Sequence, residues 1–92
     1  MAEIAVVAGS QDGELLSFQV RVAGDSSETT HEVTVARNDL ERLARKDETG
    51  TQFIRRCFEF LLEREPNEAI MRTFDVSVIK TYFPEFEEEI AS

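Results

Sequence analysis

Leu16-Ser17-Phe18-Gln19-Val20-Arg21-Val22 alternates without a break: Leu16, Phe18, Val20 and Val22 share one face, and Ser17, Gln19 and Arg21 the other. A period of two marks a β-strand with one buried face and one wet face. Upstream lies a short apolar run, Ile4 to Ala8, followed by Gly9-Ser10-Gln11-Asp12-Gly13. Asp-Gly supplies the positive φ that a tight hairpin turn wants. Downstream, Ala23-Gly24-Asp25-Ser26-Ser27 is a turn by composition. Thr30 to Ala36 then alternates again, with His31, Val33 and Val35 opposing Thr30, Glu32 and Thr34. Two or three antiparallel strands follow from this pattern, with one apolar face that needs cover.

The cover comes from the rest of the chain. Asn38-Asp39-Leu40-Glu41 has a capping residue with Glu three positions on, which opens a helix carrying Leu40 and Leu43. Thr49-Gly50-Thr51-Gln52 offers a second capping pattern. Beyond it Phe53, Ile54, Cys57, Phe58, Leu61 and Leu62 recur at helical spacing, the strongest helical signal in the chain. Arg55 and Glu59 are spaced as an ion pair on its wet side. Pro66 closes that helix or lies just past it. Asn67 to Phe74 predicts two helical turns with Ile70, Met71 and Phe74 facing inward. Asp75 caps a further turn through Val78, Ile79 and Tyr82, and Pro84 stops it. Phe86 and Ile90 then interrupt Glu85, Glu87, Glu88 and Glu89, a pattern that fits a final amphipathic turn or a fraying tail.

The expected architecture is a single α+β domain over residues 1–92. A two- or three-stranded antiparallel β-meander fills residues 1–36, and residues 37–92 supply three or four helices packed on one face, with an acidic C-terminal end. The expected core is Phe18, Val20, Val22, Val33, Val35, Leu40, Leu43, Phe53, Ile54, Cys57, Phe58, Leu61, Ile70, Phe74, Ile79 and Phe83. A chain of 92 residues buries a modest share of its surface, and dimerisation would bury more.

Charge narrows the function. The net charge is −9, from 19 Asp and Glu against 10 Lys and Arg. Such a field repels phosphate backbones and anionic lipid and favours basic partners. Residues 28–65 hold seven basic and nine acidic side chains, so the middle is nearly neutral and the ends are acidic. Cys57 is the single cysteine, which rules out an internal disulfide and gives no support to an oxidising compartment. No apolar run approaches the ~20 residues needed to cross a bilayer. Met1-Ala2-Glu3-Ile4 has an early acid and no basic stretch, unlike a signal peptide, so a cytoplasmic location is expected.

Three strings carry a resemblance: Thr30-His31-Glu32-Val33-Thr34-Val35; Arg55 to Glu65; and Phe74 to Ile79 with Tyr82-Phe83-Pro84-Glu85-Phe86. Together, over residues 28–90, they look like a family of small uncharacterised bacterial proteins. That resemblance implies no activity and assigns no residue a role. A second likeness is to pattern alone. Strand, helix, a short Gly-containing loop, then a helix with Arg55-Arg56 resembles ribbon-helix-helix regulators and antitoxins over residues 30–64. That resemblance implies a dimer whose outward strand residues enter the major groove. Here those would be Thr30, Glu32 and Thr34, none of them basic.

Candidate chemistry is sparse. His31 is the only histidine and shares its face with Val33 and Val35, with no nucleophile at a supporting spacing, so a packed histidine is expected. Cys57 lies among Phe53, Ile54, Phe58 and Leu61 and reads as a small buried hydrophobe. The acids Glu85, Glu87, Glu88 and Glu89 lack the Asp/Asn alternation and glycine of a calcium loop. Arg42, Arg45, Lys46, Arg55 and Arg56 form the one basic concentration, largely neutralised by Glu41, Asp47, Glu48 and Glu59. Zinc spacing, a phosphate-binding loop, a dinucleotide fingerprint and a nucleophile elbow are missing from the sequence. No enzymatic activity and no cofactor or metal are expected. Tyr82-Phe83-Pro84-Glu85-Phe86 is unusually aromatic for this part of a chain. Tyr82, Phe83, Phe86, Glu85 and Glu87 are therefore the candidate partner-binding residues. The expected function is a non-catalytic protein-interaction module, with a ribbon-helix-helix-like DNA-binding regulator or antitoxin as the alternative.

Overall fold

In a computed structural model describing residues 2–92, three strands form an antiparallel meander: β1 (Glu3–Ala8), β2 (Leu15–Ala23) and β3 (Glu28–Ala36). The Ile4–Ala8 run thus joins the sheet. The alternation settles which face is inward. Leu16, Phe18, Val20 and Val22 of β2 are buried, as are Thr29, His31, Val33 and Val35 of β3. The register sets Phe18 opposite Val33, Val20 opposite His31 and Val22 opposite Thr29, so these side chains make one continuous floor. Gly13 takes the positive φ (80°) expected of it, inside a connection that is longer than a two-residue hairpin. Arg37 pins that connection by donating to the carbonyls of Gly13 and Gln11.

Two helices follow, α1 (Arg37–Leu43) and α2 (Gly50–Leu62). Helix α1 starts directly off β3 at Arg37 with no side-chain cap, so the Asn38 capping pattern is not used. The second pattern is: Thr49 Oγ1 accepts from the Gln52 amide (3.2 Å), and Gln52 Oε1 accepts from the Thr49 amide (2.9 Å). That satisfies amides which a helix start leaves without intrahelical partners. Gly50 follows because a Cβ there would meet Phe18 Cζ at 2.9 Å. Phe53, Ile54, Cys57, Phe58 and Leu61 of α2 are buried in one cluster with the inner-facing strand residues.

The region after Pro66 differs from the sequence expectation. Asn67–Ala69 is a single 3-10 turn, and Thr73–Asp75 is a fourth strand, β4, lying parallel to β3. The sheet is therefore four-stranded and mixed, in the order β1-β2-β3-β4. The outer edge of β3 left amides and carbonyls needing partners. The Glu32 amide bonds the Arg72 carbonyl (2.7 Å), and the Thr34 hydroxyl donates to Asp75 (2.6 Å). Those partners overrode the local helical spacing. Met71, expected inward, is 41% exposed.

Asp75 caps a 3-10 turn, Val76–Val78, by accepting from the Ser77 amide (3.0 Å). The chain continues into α3 (Ile79–Tyr82) and α4 (Phe86–Ile90). The core includes nearly every residue expected of it. Leu40 and Phe83 are only partly buried, while Ile4, Leu16, Phe60, Val76, Phe86 and Ile90 are further members. Phe60 lies off the main stripe of α2 because α4 covers that second side. Its ring meets Phe86 (5.1 Å between centres) and Phe83 (5.9 Å), both edge-on.

Phe58 sits at the meeting point of sheet and helix, its ring centre 5.3 Å from that of His31 and 6.0 Å from that of Phe74. Truncating it leaves a hole that both neighbours border. Phe58→Ala is expected to lower the unfolding free energy by about 3–5 kcal/mol, read from denaturant titration.

Candidate functional site

Between the C-terminal end of α2 and the segment from Ala69 to Phe83 lies an apolar groove of about 380 Å³. Leu61, Ile70, Phe74 and Ile79 are its buried floor. Met71 and Tyr82 (64% exposed) stand at its lip, with Phe83 and Glu65 completing the wall. Strand β4 creates this groove: a helix over Asn67–Phe74 would have turned Met71 toward the core.

The five candidate residues separate into three groups. Tyr82 and Phe83 line the groove. Phe86 is 1% exposed and packs on Phe60 in the core. Glu85 and Glu87 lie elsewhere, in ion pairs that hold the C-terminal segment down. Arg64 is one centre of these. Its guanidinium lies 3.6 Å from the centre of the Phe60 ring, donates to the Phe60 carbonyl (3.0 Å), and pairs with Glu85 and Glu89 (3.1 Å each). Arg42 is the other, pairing with Glu87 (3.1 Å) and Asp39 (3.0 Å), while Lys80 approaches Glu87 from α3 (3.5 Å). The Arg42 pairing holds the Glu87 carboxyl below its ordinary range.

The remaining arginines are dispersed rather than gathered into a basic patch. Arg56 pairs with Glu48 (2.6 Å), which draws that carboxyl below its usual value, and donates to the Ile90 carbonyl (2.6 Å). Arg45 donates to the Ser92 carbonyl (3.1 Å). Arg55 does not form the ion pair its spacing with Glu59 suggested; it crosses to the Ile4 carbonyl of β1.

His31 is wholly buried and fully bonded. The Met71 carbonyl can only accept, so Nδ1 (2.7 Å) carries the proton. Nε2 then accepts from the Thr29 hydroxyl (2.8 Å), whose oxygen accepts in turn from Asn67 Nδ2 (3.1 Å). This chain ties β3 to the segment that carries Met71. Protonating His31 would put a donor where Nε2 now accepts. Burial is the largest influence and lowers its pKa from the ordinary 6.5; Arg72 adds to the depression, and the Met71 bond opposes it. Cys57 is buried in the core, and that burial pushes its thiol well above the usual range, so it stays a protonated, unreactive thiol at neutral pH.

Among the described residues there is no group of three or more His, Cys, Asp or Glu able to hold a metal ion. No helix among them is long and apolar enough to cross a membrane. Strand β3 has both edges occupied, by β2 and by β4. A ribbon between two chains requires that strand to have a free edge, so the likeness to ribbon-helix-helix regulators is confined to element order. Compared with family models, with curated proteins and with solved structures, the chain matches none.

Sequence reasoning placed Tyr82 and Phe83 together and put Leu61, Ile70, Phe74 and Ile79 in the core, but missed that these four form the floor of a groove beneath them. No local signal marks β4: Val76 and Val78, which continue the alternation begun by Phe74, lie in the 3-10 turn that follows the strand.

A histidine whose folded pKa is depressed costs stability once the unfolded chain can take up a proton that the folded chain refuses. The unfolded form is half protonated at 6.5, so stability is full well above that value and falls as the pH drops toward the folded pKa. Denaturant titrations between pH 7 and about 5.5, above the carboxylate range, should show a decline of at most about 1.4 kcal/mol per pH unit. His31→Gln should flatten that slope.

Proposed function

We propose that this chain is a non-catalytic protein-interaction module whose groove takes an apolar side chain from a basic segment of a partner protein. The observation that carries this reading is the pairing of a preformed apolar floor with two exposed hydrophobic side chains, Met71 and Tyr82, at its lip. Large apolar side chains left in water beside a concavity mark contact surfaces. Aromatic residues in such positions dominate binding energy. The charge of −9 supplies the second element, because it steers and retains a basic partner. Glu65, in the groove wall, offers a carboxylate to a Lys or Arg flanking the anchor.

Tyr82 is the only tyrosine and there is no tryptophan, so tyrosine fluorescence reports this groove alone. Titrating a short peptide with Leu flanked by Lys should change that fluorescence saturably. Amide NMR shifts should concentrate at Ile70, Met71, Tyr82 and Phe83. Met71→Ser should weaken binding several-fold while leaving the fold unchanged, and exchanging the peptide's Lys for Glu should weaken it further. A response that never saturates, or shifts spread away from the groove, would remove this reading.

A further inference from the structure

The other edge of the sheet carries a separate feature. In the β1–β2 ladder the Gly9 amide bonds the Ser17 carbonyl (2.8 Å), and the register continues through Val7–Gln19 and Ala5–Arg21. Bonded and outward-facing residues alternate in an antiparallel pair. The amides and carbonyls of Ile4, Val6 and Ala8 therefore point away from β2, along the outer edge of the sheet. Arg55 confirms the direction by bonding the Ile4 carbonyl from outside the ladder.

Edge strands are ordinarily blunted by charge, proline or a bulge. Arg55 blunts the first end of β1. At the other end, Gly9 and Ser10 both bond Ser17, leaving an extra residue on the β1 side. Between these two, Ala5-Val6-Val7-Ala8 has no charge and no proline, and Val7 is 61% exposed on the outer face.

The geometry points to β1 as a self-pairing edge that binds a second copy of this chain, antiparallel, about a two-fold axis through Val7. The register follows from what is already occupied. With Arg55 on the Ile4 carbonyl, Val6 and Ala8 are the residues that keep both the amide and the carbonyl free. A two-fold at Val7 sets Val6 of each copy opposite Ala8 of the other, so that each exchanges both its amide and its carbonyl bond. It also places Val7 against Val7 in a non-hydrogen-bonded pair, where side chains approach most closely. No other register uses all of these groups and leaves Arg55 undisturbed. A contact this short buries less than standard interfaces do, so association depends on concentration. Each copy carries −9, so added salt strengthens it by screening.

Sedimentation equilibrium over a concentration series tests this directly. The wild-type chain should shift toward twice its mass as concentration rises, more readily at high salt. Val7→Lys changes an exposed side chain and sets two cations against each other at the axis, so it should weaken association several-fold with far-UV circular dichroism unchanged. Because it also makes the net charge less negative, association driven by general charge alone would instead strengthen, and that result overturns the proposal. Hydrogen exchange on the wild-type chain gives an independent reading. The Val6 and Ala8 amides should slow as concentration rises, while the Val7 amide, already bonded within the sheet, holds constant. A monomer at every concentration, or Val6 and Ala8 amides exchanging freely in the concentrated sample, would also overturn it. None of these measurements depends on what the groove binds.

Discussion

One face of a three-stranded meander cannot stay in water, and the packing of Phe58 against both His31 and Phe74 is where that demand is met. Phe58 belongs to α2, His31 to β3, and Phe74 to β4, so a single ring joins the helical roof, the sheet floor and its last strand. A buried polar ring in such a place is tolerable only when both nitrogens are satisfied. Thr29 and the Met71 carbonyl supply the two bonds, and Asn67 completes the Thr29 hydroxyl. No buried side-chain nitrogen or oxygen among the described residues is left without a partner. The same bonds that make His31 acceptable also hold the Asn67–Met71 segment beside β3, and so position one wall of the groove.

The second side of α2 is held by different means. Phe60 supplies the apolar contact with Phe83 and Phe86, and arginines supply the polar one. Arg64, in the turn just past α2, and Arg42, from α1, each bond acids of the C-terminal segment. Exposed ion pairs are individually weak because water competes for both partners. Here they act on a segment already anchored by Phe86 and Ile90, so their effect is to fix its direction. The acidic end that a sequence reading would offer to a partner is thus engaged, in part, within the chain. What faces outward instead is Tyr82 and Met71.

The meander and the α2 roof were legible because each depends on a strict period: two in Leu16–Val22 and Thr30–Ala36, and close to four in Phe53–Leu61. The capping pair Thr49 and Gln52 was legible because its chemistry is local. The stretch from Asn67 to Asp75 was not, because its conformation answers to a strand 40 residues away. The apolar spacing of Ile70, Met71 and Phe74 suits a helix, but the unpaired edge of β3 offered backbone bonds that a short helix could not match. Phe86 illustrates the same limit. Its neighbours are acidic and suggest solvent, and only the position of Phe60 explains why it is buried. Tyr82 and Phe83 were picked out by composition alone, and the floor under them depends on β4.

The two ends of the sheet are managed differently, and that difference organises the surface. Beyond β3, the edge is closed by β4 and by the turns that follow it, and the byproduct of that closure is a groove. Beyond β1, the described residues add only Arg55 at one carbonyl and an extra residue at Gly9–Ser10, and the middle of the strand keeps its bonding capacity. Copies that pair through β1 would build one continuous sheet with β4 outermost at both ends. Each groove then lies as far from its counterpart as the sheet allows, on surfaces that the pairing does not touch. A partner with a single apolar anchor in a basic segment would bind either end independently. A partner with repeated anchors, spaced to reach both, would gain through effective concentration with no new contact. Self-association of this kind would turn each shallow site into half of a bivalent one, with a strength that follows the protein's own concentration.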